Sequence, residues 1–506
     1  MRSPLRSRLT VLAAAGLAGC VYYNTLYNAE REYDRAERAL REGRLGEANV
    51  ALDSVIAKTG RVLTGHPNSK YADDAAILKA RSEVYRGRWE AAYRSAELAA
   101  RRTNDPALRS VARGIVGVAA FELGDPGMAR EHLTQALDGK LGARDRTIFL
   151  FTRGRARLAL GEADAAGADL RAAVEEAEES GLDQLELASA LARVGEYEHA
   201  VALTRRMLDI DQLVDLTEPQ RRLVDTLMVL APESLDAMFT ELLDAPGRRP
   251  VQRSVLYLHQ GRTRERLGDD AGALAAYAAA LEAAVTTRAA GEAAYRWSRL
   301  ELAGARDAGT VAATLGRLQT ATRVAPRAVQ DSAIALTAAV ELFSGLMGAY
   351  ESRGAAAAEA LLRSAEIARA DLRSPELARG LYLRYLRLVP RSPWAAKAIL
   401  GALSLSGSRA DGIEGAVDLG DATDAELHRR LRELDPGDPY FLAQTRVSSV
   451  AAESAYVRSE RELRRRLTDI RALFDDRVRP VVADTAEAVV DSAAHGARAD
   501  SARVEF

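Results

Sequence analysis

Apolar residues recur along most of this chain at the three-to-four-residue step of an amphipathic helix, in short runs separated by single glycines. Leu26, Ala29, Tyr33, Ala36 and Leu40 form the first such run, which predicts a helix starting almost directly after Asn24. Breaks follow at Gly43, Gly87, Gly124, Gly161, Gly195 and Gly268, each with a small residue near the fifth position on. Their successive separations are 44, 37, 37, 34 and 73. The last is two periods of about 36 residues, a spacing proper to helical repeats. It predicts a degenerate repeat across Pro232, with a second helix from Glu233 to Leu243.

The stretch Ser254–Val285 carries the pattern most completely. Tyr257, Gly261, Gly268, Ala273, Tyr277 and Ala280 fall at offsets 4, 8, 15, 20, 24 and 27 of a tetratricopeptide repeat, which this stretch resembles. The small residue seven before the turn is Gly117, Gly154 or Gly261, and elsewhere Ala80 and Ala188. One such hairpin cannot bury its own apolar stripe, so it needs stacked neighbours. The resemblance implies an all-α, right-handed superhelical solenoid of tetratricopeptide-type hairpins over 25–404, closed by a C-terminal capping helix. Gly304 and Gly354 mark weaker hairpins, and six to eleven hairpins fit the sequence. The junction His66–Ala72 adds a turn in which Pro67 ends one helix and Asn68 or Ser69 caps the next. A second such junction spans Val389–Ala395, preceded by Ala378, Tyr382, Tyr385 and Leu386 at second-helix offsets.

Glycine, serine and aspartate between Gly407 and Gly420 mark 405–439 as a linker. A helix over 440–479 follows, with a seam of Tyr456, Leu463 and Ile470, and of Leu467 and Phe474, at seven-residue steps. It is expected to dock on the last repeat, with Arg464, Arg465 and Arg466 as a solvated face. Pro480 ends it, and 480–506 reads as a polar, alanine-rich tail.

Composition narrows the function. Of 506 residues 48% are hydrophobic, 28% charged and only 5% aromatic, and the net charge is -2. A large helical surface fits these values, and no basic field exists to recruit nucleic acid, which is not expected as a partner. Cys20 is the only cysteine, which excludes an intrachain disulfide and a multi-thiolate metal site. Its setting is informative. Arg2, Arg6 and Arg8 precede an apolar run from Leu9 to Gly16, as in a secretory signal. Leu17-Ala18-Gly19-Cys20 resembles the lipobox of bacterial lipoproteins, which implies a signal peptide over 1–19, cleavage before Cys20 and acylation of that residue. Residues 20–24 would then be lipid anchor and tether, and Val21 after the cysteine favours the periplasmic face of the outer membrane. With the repeats, the chain is similar in type to the tetratricopeptide lipoprotein of the outer-membrane β-barrel assembly machine and to the periplasmic Tol-Pal coordinator.

Chemistry is sparse. The six histidines, His66, His132, His199, His259, His428 and His495, show no ligand spacing, so neither a metal nor a cofactor is expected. Gly139-Lys140 lacks the rest of a phosphate loop, and Asp209, Asp211 and Asp215 lack the glycine and terminal glutamate of a calcium loop. Gly345-Leu346-Met347-Gly348 and Glu351-Ser352 look like pieces of a lytic transglycosylase in reversed order. No catalytic residues are assigned. In the repeat family, offsets 2, 5, 9, 12 and 13 of first helices face a concave groove, which places Phe151, Arg155, Arg193, Leu258, Arg262 and Arg266 there. Such a groove suits peptide segments bearing carboxylates, although the same arginines also fit ordinary helix-face charges. The expected function is a non-enzymatic, membrane-anchored scaffold for envelope proteins. The alternatives are a peptidoglycan-acting enzyme or its activator, and a structural periplasmic spacer.

Overall fold

A computed structural model describes residues 24–40, 42–69, 71–175, 183–210, 213–406, 424–434, 437–444 and 450–478. The expected signal peptide, the lipobox with Leu17, Ala18, Gly19 and Cys20, most of the linker and the 480–506 tail lie outside the described residues. The described residues are all-α and fall into two compact units, one of residues 1–252 with 262–269, the other of residues 253–261 with 270–506.

In the first unit helices alternate in hairpins. They are α1 (24–40) with α2 (Leu45–Gly65), α3 (Ala72–Tyr85) with α4 (Trp89–Arg102), α5 (Pro106–Glu122) with α6 (Pro126–Leu137), and α7 (Ala143–Ala159) with α8 (Ala163–Glu175). Then come α9 (Gln184–Arg193) with α10 (Tyr197–Leu208) and α11 (Glu218–Leu230) with α12 (Pro232–Asp244). The last pair is the degenerate repeat, with Ala231 alone between its helices. Helix α13 (Pro250–Leu267) contributes residues to both units. First helices also pack on first helices, α3 on α5, α5 on α7 and α9 on α11.

The turns explain the glycines. All six expected turn glycines have positive φ, between 65° and 89°. The residue after each donates its backbone N–H back to a carbonyl in the last turn of the first helix, at 2.8 to 3.0 Å from Arg44, Arg88, Asp125, Glu162, Glu196 and Asp269. This is the glycine-terminated helix cap that satisfies otherwise orphaned carbonyls. The small residues five positions on, Ala48, Ala92, Ala129, Ala166, Ala200 and Ala273, are all 0% exposed.

The glycines inside first helices serve packing. A Cβ at Gly117 would lie 2.6 Å from Leu133, at Gly154 2.9 Å from Leu170, and at Gly261 2.5 Å from Tyr277. Each pair is sixteen residues apart, so one large second-helix side chain fills the notch left by one glycine. The Ala80/Ala96 and Ala188/Thr204 pairs hold the same positions, all buried.

The second unit contains α14 (Asp270–Ala283), α15 (Arg288–Ala303), α16 (Ala308–Ala313), α17 (Leu315–Val324), α18 (Arg327–Arg353), α19 (Ala358–Ala370), α20 (Pro375–Leu388), α21 (Ala395–Leu403), α22 (Asp424–Glu433), α23 (Pro439–Gln444) and α24 (Val450–Val478). The alanine tract forms a 3-10 turn, Gly354–Ala357, between α18 and α19. Helix α18 is long and apolar enough to cross a membrane by composition, with a mean hydropathy of 1.5 across its most apolar window. A third of that window is buried, and Val340, Phe343, Leu346 and Met347 belong to the unit's largest core.

Several local expectations change. At the first junction neither Asn68 nor Ser69 caps α3 with its side chain. Tyr71 is the N-cap, and the Ser69 carbonyl accepts from Ala72 N–H at 3.0 Å. The 405–439 segment carries α22, and the 440–479 segment carries two helices, the first begun by Pro439 with Asp438 accepting from Tyr440 N–H at 2.9 Å. Helix α24 docks as expected. Leu463 and Ile470 join the core, and Trp394 Nε1 donates to the Ser459 carbonyl at 3.5 Å. Lys397 bridges Glu366 at 2.5 Å and Glu460 at 2.6 Å. Arg466 is more than solvated face, since it pairs with Glu359 at 3.0 Å and lies over the Trp394 ring.

Gly261→Leu should overpack the notch against Tyr277 and cost about 1–3 kcal/mol in urea unfolding; an unchanged midpoint would contradict the interlock. Burial pushes the Glu460 carboxyl up, but the bonds from Lys397 and Tyr440 outweigh it and hold it low. Its stabilisation is thus present above the unfolded carboxylate value of about 4.3 and fades as pH falls below it. Lys397→Met should therefore weaken α24 docking by about 1–3 kcal/mol at neutral pH, with the deficit shrinking toward pH ~3, read from hydrogen exchange of α24 amides.

Candidate functional site

With second helices filling the notches of first helices, the inward offsets of the first helices are left to form a surface. Among the described residues of the first unit, two clefts open between first helices. One, of about 210 Å³, lies between α1, α3, α5 and α7. The other, of about 460 Å³, lies between α7, α9 and α11.

The larger cleft contains two of the expected groove residues. Arg155 and Arg193 line it with Leu185, Glu186, Ser189 and Ala192, and Pro219, Arg222, Leu223 and Thr226 close the far side. Arg155 is held in place by Glu122 at 3.2 Å and Glu186 at 3.8 Å, and its guanidinium lies over the rings of Phe121, at 4.6 Å, and Phe151, at 5.4 Å. Arg193 is exposed and forms no ion pair among the described residues. Arg222 pairs with Glu218 at 2.9 Å and is largely exposed. The cleft thus sets one guanidinium without an ion pair, Arg193, beside the paired Arg155 and Arg222 and the apolar Leu185, Ala192 and Leu223, and a free guanidinium recognises a carboxylate on a peptide.

The other expected residues behave differently. Phe151 is 3% exposed and does not line the cleft; its ring supports Arg155 from below. Leu258 is 4% exposed and packs inside the second unit. Arg262 reaches Asp225 of α11 at 2.7 Å, and only 15% of its side chain is accessible. Arg266 is exposed in the last turn of α13 and lines neither cleft.

The smaller cleft was not anticipated. Tyr33 comes from α1, Arg81, Val84 and Tyr85 from α3, Ile115 and Val118 from α5, and Arg144, Asp145, Ile148 and Phe149 from α7, with Asp183 at the edge. Arg144 pairs with Glu37 and donates to the Tyr85 hydroxyl, and Arg81 pairs with Asp145. Burial pushes the Tyr33 and Tyr85 hydroxyls and the Asp145 carboxyl up, the last against the pull of Arg81 and Arg144. Part of the signal was present in the sequence. Applying the same inward offsets to the repeats that turn at Gly43, Gly87 and Gly124 includes Tyr33, Glu37, Arg81, Val84, Tyr85 and Val118 among other positions, and does not reach Ile115, Arg144, Asp145 or Phe149.

Residues considered for chemistry are otherwise engaged. Leu346 and Met347 of the transglycosylase-like segment are buried in α18, and the Ser352 hydroxyl donates to the Ala349 carbonyl at 3.0 Å. Asp209 pairs with Arg248 at 2.6 Å and Asp215 with Arg221 at 3.3 Å, while Asp211 lies outside the described residues. Among the described residues no group of three or more His, Cys, Asp or Glu could hold a metal ion.

No family model matches the chain, and no curated protein matches it. Among solved structures, the chain is similar to a tetratricopeptide repeat protein from Parabacteroides merdae ATCC 43184, at 14% identity and a TM-score of 0.26, over 53% of this chain and 97% of that one. It is also similar to the APC/C hetero-tetramer Cut9-Hcn1, at 14% identity and 0.25, over 86% of this chain and 97% of that one. A third similarity is to Naa15/Naa10 bound to HypK-THB, at 17% identity and 0.20, over 87% of this chain and 73% of that one. The tetratricopeptide-type fold rests on the chain's own capped turns and glycine notches.

Proposed function

We propose that this protein is a non-enzymatic, membrane-anchored scaffold that holds envelope proteins through the first-helix surface of its first unit. The observation that carries this reading is the cleft where Arg193, without an ion pair among the described residues, stands near Arg155 and the apolar Leu185, Ala192 and Leu223. A guanidinium pairs with both oxygens of a carboxylate, and a preformed groove lowers the ordering cost of binding an extended segment. The bound element is therefore a peptide segment carrying acidic side chains. Coordination of an envelope complex, or assembly of outer-membrane proteins, is the setting that the lipobox supports, with the anchor at Cys20 and the repeats on the periplasmic face. Several acyl chains at about 0.8 kcal/mol per buried methylene make such an anchor permanent.

Two outcomes check this. Arg155→Ala with Arg193→Ala should weaken binding of a fluorescent acidic peptide roughly tenfold, with helical circular dichroism unchanged; equal affinity would reject the cleft as the contact. Cys20→Ser should abolish incorporation of a clickable fatty acid and release the protein from the membrane fraction. An unlabelled wild type would remove the anchor.

A further inference from the structure

The smaller cleft of the first unit has a more specific chemistry than the one assigned above. Resting on the reading of this surface as a peptide groove, we infer that it is an anchor pocket for one aromatic side chain of the partner, with a basic residue about three positions away along the peptide.

Size comes first. A 150 Å³ apolar cavity admits benzene, so about 210 Å³ accommodates a phenyl or indole ring. The walls match such a guest. The rings of Tyr33 and Tyr85 stand 6.3 Å apart at 56°, and Phe149, Ile115, Val118 and Ile148 supply the remaining apolar surface. Tilted ring arrangements of this kind favour a further aromatic.

Phe149 occupies its place because α5 has no side chain there. A Cβ on Gly114 would fall inside the Phe149 ring.

Charge decides against an ionic guest. The cations in the wall are matched within it, Arg81 by Asp145 and Arg144 by Glu37. Deep in the pocket a charged side chain would lose hydration and meet only cations already paired, the buried Arg81 Nε–H being the one open donor there; the Asp183 carboxylate, without an ion pair among the described residues, stands at the exposed edge.

Beyond the pocket the balance changes. Glu30 and Asp34 on α1 and Asp74 on α3 are exposed and form no ion pair among the described residues. Partial burial, and after it the nearby charges of Asp74 and Asp34, pushes the Glu30 carboxyl up. Asp74 lies seven residues before Arg81 on α3, about 10 Å along the helix, which an extended peptide covers in about three residues. A lysine or arginine there meets three carboxylates, whereas the Arg155 and Arg193 cleft takes the acidic end. The groove therefore reads a basic–aromatic–acidic order.

The test uses the full chain and labelled peptides in which a central residue, Phe, Trp or Ala, has two lysines placed about three and four positions before it, with serines between, and two glutamates after it. Anisotropy should show the Phe and Trp peptides binding roughly tenfold or more tightly than the Ala peptide. Val118→Trp, which fills the pocket, should erase that preference while leaving the contribution of Arg155 and Arg193. The exposed triple variant Glu30→Gln, Asp34→Asn, Asp74→Asn should keep the preference for Phe and lose the benefit of the lysines. Binding of all three peptides with equal affinity would overturn the pocket and leave the groove standing, whereas binding of none would overturn both. Free indole binding as tightly as the Trp peptide would reassign the pocket to a small aromatic molecule and overturn the peptide anchor.

Discussion

Three hairpins here depend on one steric fit, a missing side chain on the first helix against a large one on the second, and two more bury small residues at the same positions, Ala80 against Ala96 and Ala188 against Thr204. Gly117 receives Leu133, Gly154 receives Leu170 and Gly261 receives Tyr277, always sixteen residues apart. Close-packed interiors tolerate neither a void nor an extra methylene at such a point. The fit sets how closely the two helices cross, and the glycine turn seven residues later sets where the chain reverses. Everything else in the repeat follows from keeping those two distances constant.

The first-helix surface is a by-product of this fit. Once second helices are committed to the notches, the first helices keep a row of positions facing away from them. In the first unit these positions supply the rings, guanidinium groups and carboxylates of both clefts. Arg155 shows how such a residue is made ready. Two rings below it and two carboxylates beside it fix the guanidinium while a third of its side chain stays accessible to a partner. Side chains held in this way lose little entropy on binding, which is what a recognition surface requires.

The fold was legible because its determinants are local. Turn glycines, alanines five residues on and the notch glycines are all readable at fixed spacing, and even the degenerate repeat across Pro232 was placed by interval alone. Side-chain partnership was not legible. Arg155 and Arg262 hold the same offset, yet one faces the cleft and the other is tied to Asp225. Asp225 sits one interval of 37 before Arg262, in the repeat whose register no glycine marks. The smaller cleft is legible only in part, since the inward offsets of the first repeats reach Tyr33, Arg81, Tyr85 and Val118 but not Ile115, Arg144, Asp145 or Phe149. Beyond α15 the pattern weakens for a physical reason. Gly304 has φ near -92°, and α16 and α17 are split at Thr314, so the second helix there is no longer continuous.

The central claim is that partners are held on the first-helix surface of the first unit. It is tested most directly by placing a photo-reactive residue, one site at a time, in cells expressing the full chain. The account predicts that Ser189 and Ile148, on the inward surface, yield adducts with a common partner, and that Glu131 and Gln135, on the exposed face of α6, do not. Adducts confined to Glu131 and Gln135, with none from Ser189 or Ile148, would contradict it.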